Sequence, residues 1–327
     1  MRGTHVFLLT ILLVVAGCRH KASQPKDASL VTSYPSPQRI ETRHLPNTCR
    51  IHDRVISGGE PDGEVGFQEL RELGVKTVIS VDGARPQVEL ARKYGIRYVH
   101  LPHGYDGVPL ERAHELAKAV RDLPGPVYIH CHHGKHRSPA AAAVACVGAG
   151  LLSPKDAVSV LHIAGTSKDY QGLYESVKNA RRFDGAMLDT LTVEFSERAE
   201  LPPIAEAMVA IEHTYDNLKV IQQAGWKSPT DHPDLDPPHE ALLLREHFAE
   251  VVRTEAARQQ PSQFQDMLQA SLTAAADLED GLRDWIDPRQ PPPEVIANSF
   301  VRITNNCKAC HGHFRDIPLS EKLKQNP

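Results

Sequence analysis

Apolar positions along residues 50 to 183 follow two different periods in turn. The runs "KTVISV" (76–81), "RYVHLP" (97–102) and "VYIHC" (127–131) are short and rich in β-branched and aromatic residues, which predicts strands. Around them, apolar residues at three- and four-residue spacing predict helices near 64–73, 85–94 and 109–122. An Ala-rich run at 138–150, a segment begun by Ser153-Pro154 and a stretch at 170–183 continue the helical pattern. Strands that alternate with helices imply an α/β domain with a mostly parallel central sheet flanked by helices. Beyond about Asp184 the strand pattern stops. Residues 200–327 carry four amphipathic stretches, near 202–224, 238–259, 262–286 and 293–315, broken by the Pro-rich "SPTDHPDLDPP" and "DPRQPPPE". That pattern predicts an all-α, antiparallel four-helix bundle.

The N-terminus adds a targeting segment. Arg2 precedes the apolar run "VFLLTILLVVAG", which is too short for an ordinary spanning helix and reads as a signal peptide over residues 1–17. Its end, Val15-Ala16-Gly17-Cys18, resembles the bacterial lipobox, which implies lipid on Cys18 and an exported protein anchored on the periplasmic side of a membrane. Residues 18–48 are rich in Ser, Pro, Lys and Gln without apolar periodicity and predict a flexible tether. The expected order is then an α/β domain over 49–183, a linker over 184–199 and the helical domain over 200–327. With 41% apolar and 24% charged residues, the chain has enough core for two domains. A net charge of −4 lacks the basic excess that tracks a nucleic-acid backbone, which excludes nucleic acid as the expected partner.

The densest chemistry lies in "HCHHGKHRS" (130–138), after an apolar strand and before the Ala-rich helix. Backbone N–H groups at such a strand-to-helix loop favour an anion. Cys131 opens the loop and Arg137 closes it, so a thiolate can sit behind a phosphorus atom whose oxygens the guanidinium grips. The same positive surroundings lower a thiol pKa, and Ser138 can hydrogen-bond the sulfur. The stretch resembles the H-C-x5-R-[ST] signature of cysteine-dependent protein tyrosine and dual-specificity phosphatases, with Gly134 matching their central glycine. "GVKTVISVDGARPQVELARKYGIRYVHLPHGYDGVP" is similar to the stretch that precedes the loop in compact dual-specificity members, so the resemblance covers about 50–183. It implies a phosphocysteine on Cys131, phosphate held by Arg137 and the loop residues His132, His133, Gly134, Lys135 and His136, and an Asp general acid. Asp106 in "HGYDGVP" is the expected acid and Asp82 in "SVDGARP" its rival. His133 stands where a small residue is usual, and Lys135 is similar to the basic loops of members acting on phosphoinositides.

Metal binding by the loop histidines is disfavoured, because a tight loop turns successive side chains apart and no carboxylate cluster lies nearby in sequence. Sulfur transfer of the rhodanese kind uses a loop one residue shorter. "AGTSKDYQGLYESV" (164–177) resembles a helix-entry segment of bacterial members, which would let Asp169 or Gln171 face the site, with a surface helix the expected setting; Cys146 is expected as a buried small residue, and Cys49 stays open as a resolving thiol.

"NNCKACHGHFR" contains C-x-x-C-H, the attachment site of one covalent haem c, and it sits in the last predicted helix of an exported chain. "CKACHGHFR" resembles the C-terminal ending of class II cytochromes c, the cytochrome c′ family. That resemblance implies thioethers on Cys307 and Cys310 and His311 as the iron ligand. Met208 falls where the family's distal residue is expected, with His213 a weaker candidate. The combined expectation is a phosphomonoester hydrolase joined to a haem domain that meets a redox partner or a small gas. The competing reading is a haem redox or ligand-binding protein whose phosphatase fold only binds phosphate.

Overall fold

The structure is a computed structural model and describes residues 36–287 and 289–325. The expected signal peptide, Cys18 and the first part of the tether lie outside these residues.

Six strands form one sheet: β1 (Gln38–Arg39), β2 (Cys49–His52), β3 (Val55–Gly58), β4 (Thr77–Ser80), β5 (Arg97–His100) and β6 (Val127–His130). Their order is β1-β2-β3-β6-β4-β5, with β3, β6, β4 and β5 parallel and β1 and β2 antiparallel. Side chains alternate along these strands and so divide into two cores. Val55, Ile79, Val99, Val127 and Ile129 face the helices α3 (Leu110–Asp122), α4 (Arg137–Gly148), α5 (Ala157–Ala164) and α6 (Gln171–Lys178). Ile56, Val78, Tyr98 and Tyr128 face α1 (Gly63–Glu72) and α2 (Val88–Lys93), which contribute Phe67, Leu70, Val88 and Ala91. Every residue of α4 is buried, which explains its alanines: a helix packed on the sheet and on α3, α5 and α6 has no room for larger side chains.

Gly58 of β3 and Ser80 of β4 both pair with His130, so β6 ends level with its two neighbours. The loop after His130 therefore opens at the carboxyl ends of parallel strands, between Gly58-Gly59 and Val81-Asp82.

The tether expected up to residue 48 ends earlier. Gln38 and Arg39 pair with β2, Ile40 N donates to Thr48 O, and Leu45 and Thr48 are buried. A strand of two residues shows no period, so its sequence reads as linker. The linker expected over 184–199 is also ordered: it forms α7 (Gly185–Thr190), and then Ser196 O accepts from His100 N at the sheet edge.

The C-terminal half holds four long helices, α8 (Pro203–Gln223), α9 (Pro237–Arg253), α11 (Ser262–Asp284) and α12 (Glu294–Cys310), with a short α10 (Glu255–Arg258). α8 packs on α9, α9 on α11 and α11 on α12 around Leu218, Leu244, Phe248, Leu278, Ile296 and Phe300. Tyr215 of α8 reaches α12 by stacking on Phe300 and by a 2.7 Å hydrogen bond with Thr304. The helix expected to run to residue 315 loses its α pattern at Cys310, and His311–Arg315 form one π-helical turn. Last comes α13 (Leu319–Gln325). Among the described residues no helix is long and apolar enough to cross a membrane.

Candidate active site

The loop 131–136 is held from behind by its carbonyls. Glu60 N donates to His132 O, Asn47 Nδ2 to Gly134 O and Thr166 Oγ1 to Lys135 O. In a trans peptide the N–H points opposite the C=O. The amides of His133, Lys135 and His136 are thereby turned toward the inside of the loop, where an anion would lie. Gly134 has φ +69°, and a Cβ there would collide with the backbone of Gly58 and Gly59. Gly134→Ala is expected to cost about 1–2 kcal/mol for the left-handed backbone alone, and more for the clash. A lower melting temperature together with weakened binding of inorganic phosphate checks this.

Cys131 and Arg137 are both buried, at 3% and 8% exposure, so they form the floor of the site. Cys131 Sγ lies 3.3 Å from Ser138 Oγ, which in turn donates to Gly58 O at 2.9 Å. The hydroxyl needs only to turn from that carbonyl to the sulfur to stabilise a thiolate. Arg137 Nε has no partner among the described residues, and its guanidinium lies 4.4 Å from the centre of the Tyr105 ring.

The two acid candidates differ in setting. Asp82 is buried and accepts from Ala84 N and Ser80 Oγ within its own turn. Burial pushes its carboxyl up, but the charges of Arg137 and His130 and those hydrogen bonds outweigh it and leave it below the usual range. Asp106 is partly exposed on the loop between β5 and α3. That loop is fixed by Val108 N donating to Ser176 Oγ and by Gly172 of α6, where a Cβ would strike the Asp106 carbonyl. On the same loop, burial, only partly offset by a hydrogen bond with Gly104 O, holds the His103 imidazole down at about 4. The unfolded chain takes up that proton below about 6.5, whereas the folded one does not until about 4. Stability present above pH 6.5 is therefore expected to fall as the pH drops toward 4, and His103→Gln should flatten this slope in urea unfolding.

Gln171 opens α6 and is exposed, Asp169 is exposed in the turn before that helix and not on it, and Cys146 is completely buried as expected. Cys49 is a free, buried thiol whose pKa burial pushes up.

The helical part closes this site. Val209, Glu212 and His213 of α8 join Asp82, Gly83, Ala84, His132 and Arg137 around a cavity of about 20 Å³, room for roughly one water. The C-terminal segment covers the acid loop. The Arg315 guanidinium lies 4.1 Å from the Tyr105 ring centre, Leu319 N donates to Asp106 O at 2.9 Å, and Lys322 Nζ meets Asp106 Oδ2 at 2.8 Å. Ser320 Oγ adds a 2.7 Å bond to Glu175. None of Tyr105, Glu212, Arg315 or Lys322 stands out in the sequence, because each acts through a partner distant along the chain.

No protein-family profile matches the chain, and no curated protein does. Solved structures do match. TpbA from P. aeruginosa is 20% identical, with a TM-score of 0.38 over 48% of this chain and 95% of that one. The core catalytic domain of the PP-IP phosphatase Siw14 from S. cerevisiae, in complex with citrate, is 17% identical, with a TM-score of 0.36 over 46% of this chain and 92% of that one. PTPMT1 in complex with PI(5)P is 21% identical, with a TM-score of 0.34 over 39% and 90%. Each is similar to this chain over nearly its own whole length.

The residues of the C-x-x-C-H motif fit a covalent haem by their chemistry. Cys307 and Cys310, one turn apart near the end of α12, are free thiols, and with Phe314 they pack against the same apolar core as Met208 of α8. Burial, joined by the charge of Arg315, holds the partly buried His311 down at about 3, so its imidazole is neutral. A neutral imidazole is the form that ligates iron.

Proposed function

We propose that this chain is a cysteine-dependent phosphatase that hydrolyses a phosphomonoester, on a protein side chain or an inositol ring, through a phosphocysteine on Cys131. The supporting observation is the placement of Cys131, Ser138 and Arg137 around a loop whose amides turn inward. In the first step Sγ attacks phosphorus in line, the P–O bond breaks, and Asp106 gives its proton to the leaving oxygen. In the second, water attacks the phosphocysteine, Asp106 takes the water's proton, and the sulfur leaves as a thiolate bonded to Ser138. Asp82, buried and bonded within its own turn, lines the same cavity as Arg137 and is kept charged by it, which supports Asp106 as the acid. Acid quenching during turnover, followed by mass spectrometry, is expected to find phosphate on Cys131. A phosphate on another residue, or on none, would count against this route.

The second part of the reading is an exported, Cys18-anchored protein whose helical domain carries haem c on Cys307, Cys310 and His311. Bound there, haem would supply an iron able to exchange an electron or take up a small gas, and Met208 would be a further candidate to hold it. Protein made with haem maturation should keep its haem absorption after acid-acetone extraction, and Cys307→Ser with Cys310→Ser should lose it. Cys18→Ser should release the protein from membranes.

Coupling between the two parts is the third element of the proposal, and the contacts of the C-terminal segment support it. The π turn begins at His311 and ends at Arg315, which rests on Tyr105, which also contacts Arg137. A shift of His311 thus has a short path to the phosphate loop and to the Lys322 contact with Asp106.

A further inference from the structure

Two histidines of the phosphate loop meet a carboxylate of α8 where the helical part closes the site. The His132 and His133 rings lie edge to face at 4.2 Å, against the expectation that a tight loop would splay them. The carboxylate that no neighbouring sequence supplies is Asp216, whose Oδ2 is 3.3 Å from His132 Nε2. One ligand atom from each of the three residues lies within 4.8 Å of the others.

The geometry points to a divalent metal site formed by His132, His133 and Asp216, suited to a borderline cation such as Zn²⁺. A tetrahedral ion with bonds of about 2.0–2.1 Å sets its ligand atoms about 3.3 Å apart, which is the His132–Asp216 spacing. An ion pair alone accounts for His132 and Asp216 but gives the second imidazole no role. Two imidazoles and one carboxylate favour Zn²⁺, Ni²⁺ or Cu²⁺ over Ca²⁺ or Mg²⁺.

The surroundings hold the ligands as an outer shell does. Glu60 Oε2 faces the other nitrogen of His132 at 3.7 Å, while Glu60 N donates to His132 O and Gln87 fixes Glu60 Oε1. A carboxylate behind a ligating imidazole orients the ring. Lys219 holds Asp216 Oδ1 and leaves Oδ2 toward the histidines. His213 is three residues before Asp216 on α8, with its ring 5.7 Å from that of His132, and it or a water completes the tetrahedron. On binding, the proton that His132 shares with Asp216 leaves to solvent and the cation takes its place. Because two ligands follow Cys131 directly and the third is on α8, the ion fastens α8 over the phosphate loop. That consequence, though not the site, rests on the phosphatase reading.

Zn²⁺ titration by calorimetry tests the site on the full mature chain bearing Cys131→Ser, with Cys307 and Cys310 either carrying haem or alkylated, so that no accessible thiol competes. One tight site is expected. His133→Ala and Asp216→Asn should each weaken it by at least the 10–100-fold that loss of an outer-shell partner costs, and Glu60→Gln by about 10-fold. Co²⁺ at the site should give d–d bands without thiolate charge transfer. His133 is exposed, so its removal leaves the fold intact. Unchanged affinity in both His133→Ala and Asp216→Asn, or no binding at all, overturns the proposal and leaves an ion pair only.

Discussion

Cys131→Ser is expected to lower turnover of an aryl phosphomonoester by about 10⁴-fold or more, equivalent to about 5.5 kcal/mol of barrier. The size follows from the chemistry: a serine hydroxyl in the same place is not ionised, and its alkoxide is a far poorer leaving group than a thiolate in the second step. Binding should survive, because the inward amides and Arg137 are untouched, so the variant should still hold inorganic phosphate. Arg137→Lys should cost less, about 10²-fold, since an ammonium keeps the charge and loses the two-pronged grip on the phosphoryl oxygens. Steady-state kinetics under reducing conditions, with circular dichroism to confirm folding, reads both. Equal turnover by wild type and Cys131→Ser would leave a phosphate-binding fold attached to a helical domain and end the enzyme reading.

Removing the C-terminal segment from Asp316 onward should raise kcat/KM about tenfold. Lys322 meets Asp106 Oδ2, the carboxylate that on the proposed route protonates the leaving oxygen, and Leu319 N holds the same residue's carbonyl. A partly exposed ion pair contributes about 0–1 kcal/mol, and the hydrogen bonds of Leu319 and Ser320 about 1 kcal/mol together in this exposed setting. Loss of 1–1.5 kcal/mol from the closed state corresponds to about a tenfold shift toward the open one. Lys322→Ala alone should give a smaller rise, and Arg315→Ala a further one by freeing Tyr105. If kcat/KM stays at the wild-type level in the shortened chain, the cover this segment lays on the Asp106 loop does not limit the phosphatase.

Sequence by itself determined the local machinery. An apolar strand, a loop with glycine at its left-handed position and an alanine helix place Cys131, Gly134, Arg137 and Ser138 by short-range geometry, so the phosphate loop is legible without a fold. The C-x-x-C-H motif on an amphipathic helix is legible for the same reason. The strands β4, β5 and β6 show in the pattern because their β-branched and aromatic residues run on into buried apolar neighbours, Val81, Leu101 and Cys131. β2 and β3 have the same length but are cut apart by His52-Asp53-Arg54 and closed by Gly58-Gly59, and β1 has only two residues, so no run stands out there. Sequence spacing leaves Asp106 and Asp82 as alternatives; in the structure Asp82 is buried and bonded within its own turn, whereas Asp106 is partly exposed and paired with Lys322. What covers these loops was decided by tertiary structure alone. Asp216 reaches His132 from α8, and Lys322 reaches Asp106 across 216 residues of chain. Hydrophobic periodicity tells which face of a helix is buried, not which loop its charged end will meet. That choice is made by the packing of the helical half against the carboxyl ends of the strands.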